Sequence, residues 1–278
     1  MLGGGFSRQQ LIVLMAPPAK GKTSFAQCLM ETMARKTPDF TAMFFCFEMA
    51  REQLQARSIS RLLREYGQDL SALDVMQGKL GWREGVKLYQ QEIADKVAYF
   101  GLGSGLSSSR LEEVVGKIRD GMRYNAAVGR PAPFIVIDYL QLIDVDGKEE
   151  TMAIKATMEK LKEIAVKNNT VVIAIAASNR KSNKESGGTA MDSGRGSSSI
   201  EYGADLVLSL TDTDTLEQER FTKDCKLSLV MPKGRFYDKT ARADFNFFGK
   251  YSDFVQVDQF GTPVSKREDK AINDLLKL

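Results

Sequence analysis

An apolar run, Leu11-Ile12-Val13-Leu14-Met15, passes straight into Ala16-Pro17-Pro18-Ala19-Lys20-Gly21-Lys22-Thr23. The run predicts a buried strand over 11–15, and the residues that follow predict a helix over 24–35. A strand, a tight loop carrying Gly-Lys-Thr and a helix form a cradle for nucleotide phosphates. Backbone N–H groups and the helix N-terminus hold the phosphate oxygens. Ala19, Lys20, Gly21, Lys22, Thr23 and Ser24 line this cradle. Lys22 would reach the β- and γ-phosphates of ATP, and the Thr23 hydroxyl would bind Mg²⁺. The first glycine usual in such a loop is replaced by Ala16, which predicts a narrower choice of backbone angles where strand becomes loop. Two prolines can pre-set the loop's shape in compensation.

The 278 residues suffice for one large α/β domain or two small ones, and 43% hydrophobic content can fill a sizeable core. A net charge of only +3 confines any nucleic-acid affinity to local loops. The chain contains no histidine, which removes Ser-His-Asp chemistry, histidine bases and ordinary catalytic zinc sites. Cys28, Cys46 and Cys225 lack metal spacing, and the first two fall in apolar segments that predict buried, reduced thiols. With no leader-like segment and no membrane-length apolar run, the expected location is cytoplasmic, with no membrane partner. Gly3-Gly4-Gly5-Phe6 lies directly before the first strand, so the chain reads as a domain excised from a longer one.

Apolar runs alternate with helical patterns, which predicts an α/β fold with a mostly parallel sheet flanked by helices. The expected strands are 11–15, 42–47, 97–100, 134–137, 170–176, 206–210 and 226–231. Helical spacing marks 51–66 and 151–168, and Ser109-x-x-Glu112 reads as a capping box opening a helix to Tyr124. The end of the domain reads as antiparallel. Segments 226–231 and 241–247 flank Lys233-Gly234-Arg235, with 254–257 as an added edge strand. The ATPase-like domain is expected over 1–260, followed by a charged tail over 261–278 with helical spacing at Ile272, Leu275 and Leu276. Residues 181–199 have no core pattern and read as a loop within the domain.

Phe134-Ile135-Val136-Ile137-Asp138 is an apolar strand ending in a carboxylate. In a phosphate-loop fold it is expected beside the first strand, so that Asp138 faces Thr23 and supports the Mg²⁺ shell. Glu48 ends a second such strand, where ligands of open α/β sheets bind. It either orients the water that attacks the γ-phosphate or caps the next helix.

Phe47-Glu48-Met49, Ile137-Asp138-Tyr139-Leu140-Gln141-Leu142, Ser178-Asn179-Arg180 and Ser199-Ile200-Glu201-x-x-Ala204-Asp205-Leu206 occur in this order. Together they resemble the C-terminal RecA-like ATPase domain of DnaB-type replicative helicases, over about residues 3–258. The resemblance implies a ring, usually a homo-hexamer, that moves along single-stranded DNA by hydrolysing ATP with Mg²⁺, in company with a primase or a helicase loader. It implies that Lys22 and Thr23 bind phosphate and metal, Glu48 activates water and Asp138 supports the metal. Lys233 and Arg235 match the Lys-x-Arg hairpin that reaches into a neighbouring subunit's nucleotide, with Arg235 as arginine finger. Arg195, Gly196, Ser197 and Ser198 match the loop that holds the DNA backbone, and an arginine with free N–H groups and hydroxyls suits phosphate oxygens.

One departure concerns the γ-phosphate. The family carries a glutamine where this chain has Ala177, which cannot sense that group. Two competing readings are a recombinase-like or circadian-type RecA relative, and a degenerate ATP-binding scaffold or loader subunit with little hydrolysis. Glu48, Asp138 and Arg235 together oppose the scaffold, because a dead site has no need of all three.

Overall fold

A computed structural model of the chain describes residues 5–102, 105–177, 203–212, 225–234, 242–258 and 260–264. Ten strands form one sheet. In chain order they are β1 (Gln10–Ala16), β2 (Ala42–Cys46), β3 (Val97–Leu102), β4 (Gly105–Leu106), β5 (Phe134–Asp138), β6 (Val171–Ala177), β7 (Leu206–Asp212), β8 (Cys225–Gly234), β9 (Arg242–Phe248) and β10 (Asp253–Val257). Their order across the sheet is β10-β9-β8-β7-β1-β6-β5-β2-β3-β4. From β7 to β4 every pairing is parallel, and from β7 to β10 every pairing is antiparallel. The expected α/β sheet with an antiparallel C-terminal end is therefore the one observed.

The helices are α1 (Lys22–Lys36), α2 (Arg51–Glu65), α3 (Ala72–Met76), α4 (Trp82–Glu92), α5 (Leu111–Ala127) and α6 (Glu150–Lys167). They cover both faces of the parallel part, which is why its strands are continuously apolar rather than alternating. Ile12, Leu14, Phe44, Val136, Ile173 and Ile175 point to the face that carries α1 and α2. Leu11, Val13, Phe45, Ile137 and Val172 point to the other, under α5 and α6. Asp205, just before β7, ties that strand to β1: its carboxylate accepts from the Leu11 N–H at 2.8 Å and from Lys162 at 2.5 Å.

Three expectations need correction. β5 does not lie beside β1, because β6 pairs with both and separates them. Ser109 does not cap α5: Arg110 holds that position, and the Glu113 carboxylate instead gathers the Ser107 and Ser108 N–H groups at 2.7 and 2.8 Å and both hydroxyls. A carboxylate has four acceptor sites, so it can satisfy the loop before the helix more fully than one serine. Finally, the span between α2 and β3 contains α3 and α4, which the sequence reading passed over. The tail over 265–278 lies outside the described residues. No helix among the described residues is long and apolar enough to cross a membrane.

Candidate nucleotide site

Side chains of a strand alternate between faces, so Phe134, Val136 and Asp138 share one side, as do Ala42, Phe44 and Cys46. That side is the one on which α1 packs. Strand pairing sets Cys46 opposite Asp138. The parity of β5 thus aims Asp138 at the start of α1, even with β6 between β5 and β1. The Thr23 hydroxyl donates to Asp138 Oδ2 at 2.7 Å, and the Cys46 thiol approaches the same oxygen at 3.5 Å. Asp138 is 1% exposed. Burial raises the pKa of its carboxyl, with the Thr23 and Cys46 hydrogen bonds and Lys22 opposing and Glu48 reinforcing the shift.

The phosphate loop spans from the end of β1 to Gly21. Ala16 is the last residue of β1, extended and paired with Ala177, so no glycine-only conformation is required there. The left-handed positions fall later, at Ala19 (φ 62) and Gly21 (φ 72). Gly21 is the N-cap of α1, and a Cβ there would stand 3.0 Å from the Phe247 ring and 3.1 Å from that of Phe254. Gly21→Ala is therefore expected to lower stability by about 1–3 kcal/mol, through left-handed strain and the displaced rings. Urea unfolding of the two proteins measures it.

Lys22 Nζ donates to the Pro17 carbonyl of its own loop at 3.4 Å. Burial lowers the pKa of its ammonium, while Asp138 and Glu48 pull it up. Glu48 lies in the bend after β2 and is exposed. The bend packs against Gly101 of β3 so closely that a Cβ on that glycine would come 2.5 Å from the Arg51 nitrogen and 2.6 Å from the Met49 oxygen. Glu48 does not cap α2, whose N-cap is Ala50.

Two contributors escaped the sequence reading. Arg57, on α2, carries a half-buried guanidinium whose pKa burial lowers, with Cys46, Asp138 and Glu48 opposing. Among the described residues it has no hydrogen-bond or ion-pair partner, so a cation stands ready beside two carboxylates. Gln141 is the other. Its amide donates to the Ala177 carbonyl and accepts from the Ala177 N–H, both at 3.4 Å. A carboxamide therefore lies beside Ala177 even though that residue has none.

The structure thus brings together Lys22, Thr23, Asp138 and Glu48, with Ala19, Lys20, Gly21 and Ser24 in the loop and first turn. Lys233, near the end of β8, donates to the Ala204 carbonyl at 2.8 Å, away from this cluster. Arg235 and the Arg195, Gly196, Ser197, Ser198 string lie outside the described residues. Thr23 and Asp138 offer hard oxygen donors in contact with each other, a set suited to Mg²⁺.

A model of the DnaB-like helicase C-terminal domain matches residues 1–256. The replicative DNA helicase DnaC of Bacillus subtilis (strain 168) is 28% identical over 261 residues, covering 92% of this chain and 54% of that protein. The chain thus spans about half the length of the curated relatives it matches. Among solved structures, an ATPase domain superposes with a TM-score of 0.73 at 20% identity, covering 91% of this chain and 87% of that one. A DnaB-like replicative helicase, described with its interactions with primase, superposes with a TM-score of 0.74 at 20% identity, covering 91% and 59%.

Proposed function

Since the chain belongs to the family of DnaB-like helicase C-terminal domains, we propose that it is an ATP-hydrolysing motor domain acting on single-stranded DNA in a ring of its own copies. The observation that carries the chemistry is the Thr23–Asp138 contact, with Lys22, Glu48 and Arg57 grouped around it at the ends of parallel strands. Loop N–H groups and Lys22 bind the phosphates. Thr23 and Asp138 would hold Mg²⁺, which supplies neutralisation of phosphate charge. Glu48 orients the attacking water and accepts its proton. Arg57, desolvated and unpaired among the described residues, is placed to meet charge developing on the γ-phosphoryl group.

The family likeness adds the rest. Arg235, with Lys233, completes a neighbour's site as arginine finger, which makes the ring a requirement for turnover. A homo-hexamer is the expected assembly. Arg195 to Ser198 contact the DNA backbone without regard to sequence, and a primase or loader docks on the assembled ring.

The test is ATP hydrolysis against protein concentration, with and without single-stranded DNA, for the wild type and Arg235→Ala. Turnover is expected to rise steeply with concentration and with DNA. The variant is expected to lose about 10³-fold in kcat while still binding nucleotide. Added salt should weaken DNA stimulation. Tight nucleotide binding without turnover under all these conditions overturns the motor in favour of a nucleotide-gated scaffold.

A further inference from the structure

The last residues of β6 have a strand neighbour on one side only. Toward β1 the pairing runs to the end, where Ala177 stands opposite Ala16, the entry to the phosphate loop. Toward β5 it stops at Ala174, opposite Ile137, three residues short of Ala177. Beyond that point β5 pairs only with β2, through Cys46 and Asp138. The N–H and C=O of half-buried Ala177 thus face a place that no strand fills, and such groups cost stability unless something else bonds them. The Gln141 carboxamide does so: it accepts from the Ala177 N–H and donates to the Ala177 carbonyl, both at 3.4 Å. A carboxamide carries an acceptor and a donor side by side, as a peptide group does, so it takes the place of a strand residue. Its own base is firm. Gln141 lies in a 3-10 turn over Leu140–Leu142, where the Leu142 N–H donates to the Tyr139 carbonyl at 3.2 Å and the Ile143 N–H to the Leu140 carbonyl at 3.1 Å. Leu140 and Ile143 anchor that turn in the core beneath α5 and α6.

We propose that Gln141 is a positioning residue for nucleotide binding: its carboxamide stands in for the missing strand at the end of β6, and so holds the Ala177–Ala16 pair and the entry of the phosphate loop in place. The inference rests on the loop from Ala16 to Thr23 binding nucleotide phosphates. Gln141 acts through Ala177 and Ala16. The loop binds with backbone N–H groups, and their worth depends on being fixed before the ligand arrives. The cradle holds the phosphates alike in the ground state and in the transition state. Loosening its entry therefore weakens both by the same factor, which raises KM and spares kcat. Support of the fold alone has the opposite signature. Its loss lowers the fraction of folded, active molecules, so the measured kcat falls and KM does not move.

The experiment compares the full chain with Gln141→Met, which keeps the reach of the side chain and removes both hydrogen bonds. Three quantities are read: the affinity for a fluorescent ATP analogue with Mg²⁺, KM and kcat of ATP hydrolysis with single-stranded DNA, and amide hydrogen exchange along β6 without ligand. In the variant, analogue affinity is expected to weaken and KM to rise by about five- to tenfold, with kcat changed by less than about twofold. The Ala177 amide should exchange about tenfold faster. Ile173 and Ala174, which pair with both β1 and β5, should exchange as in the wild type. Wild-type KM and affinity in the variant overturn the inference and leave the phosphate loop's role intact. So does a fall in kcat at unchanged KM with faster exchange throughout β6, which would show support of the fold alone. A wild-type chain that binds no analogue overturns the phosphate-loop reading itself, and the inference falls with it.

Discussion

Replacing Arg61 with alanine is expected to lower the unfolding free energy by about 3–5 kcal/mol, a cost typical of stranding one member of a buried ion pair. The pair is Arg61 of α2 and Glu31 of α1, with side chains 6% and 3% exposed. Glu31 also accepts from the Ser58 and Tyr99 hydroxyls, and Gln27 donates to Ser58 at 2.8 Å and to Tyr99 at 3.2 Å. Arg61 donates in addition to the Ser252 carbonyl at 3.1 Å. Burial works against the guanidinium's charge, and the neighbouring anions Glu31 and Asp253 outweigh it, so it stays protonated. Without Arg61 the carboxylate keeps two hydroxyl donors but loses its countercharge. A cavity of about 490 Å³ runs along this cluster and is bordered by Glu31, Arg35, Arg61 and Asp253. Water admitted there would hydrate Glu31 and move the result toward the lower figure. The paired variant Glu31→Leu with Arg61→Leu should lose less than Arg61→Ala alone, because it removes the stranded charge with its partner. Urea midpoints of the three proteins decide the matter. A single-variant loss below about 1 kcal/mol would place this pair with solvent-screened surface pairs.

The consequence reaches the nucleotide site. α1 carries Thr23 in its first turn and Glu31 two turns later, while α2 carries Arg57 one turn before Arg61. The Glu31–Arg61 contact thus ties the helix that carries Thr23 to the helix that carries Arg57. Asp253 extends it to the antiparallel end of the sheet through Arg64.

How much of this could be read in advance depended on whether a residue's role repeats along the chain or arises only in three dimensions. β1, β5 and β6 were legible because strands covered on both faces leave long apolar runs. Thr23 and Asp138 were legible because a phosphate loop and a strand ending in aspartate each leave a local mark. The neighbour relation of β5 was not: strand order depends on crossovers, and nothing in Phe134–Asp138 says that β6 lies between it and β1. Ser109 carried the pattern of a cap, but Arg110 holds the N-cap position and Glu113 reaches back to the Ser107 and Ser108 N–H groups from inside the helix. Arg57 looked like one more polar residue of an amphipathic helix; only the turn of α2 over β2 and β5 aims it at the carboxylates. The contact of Gln141 was not legible because its partner, Ala177, is distant in sequence. α3 is short and α4 is charged, so neither leaves a strong periodic signal.

Asp138→Asn should move stability and turnover in opposite directions. The carboxyl is buried at 1% exposure, and desolvation raises its pKa above the ordinary aspartate value despite the Thr23 and Cys46 donors. A carboxyl whose folded pKa is raised binds its proton more tightly in the native state. Its ionisation therefore costs stability, in a window that begins near the unfolded pKa and is complete above the folded one. Asparagine keeps an oxygen for the Thr23 hydroxyl and the Cys46 thiol and carries no charge. Without ligand, the variant should be more stable at neutral pH by on the order of 1 kcal/mol, or about 2–4 °C in Tm. The advantage should shrink as pH falls toward the aspartate's unfolded pKa, about 3.9, where the wild-type group approaches neutrality. Turnover should fall by about 10²–10³-fold, because an amide is a poor substitute for the anionic oxygen that Mg²⁺ takes from the protein. Adding Mg²⁺ and a non-hydrolysable ATP analogue should then reverse the Tm order, since a ligand stabilises the protein that binds it better. Thermal unfolding at pH 7.5 and 4, with and without that ligand, gives all four comparisons. An unliganded variant less stable than the wild type at neutral pH would mean that the charge is compensated in place and that the site carries no such strain.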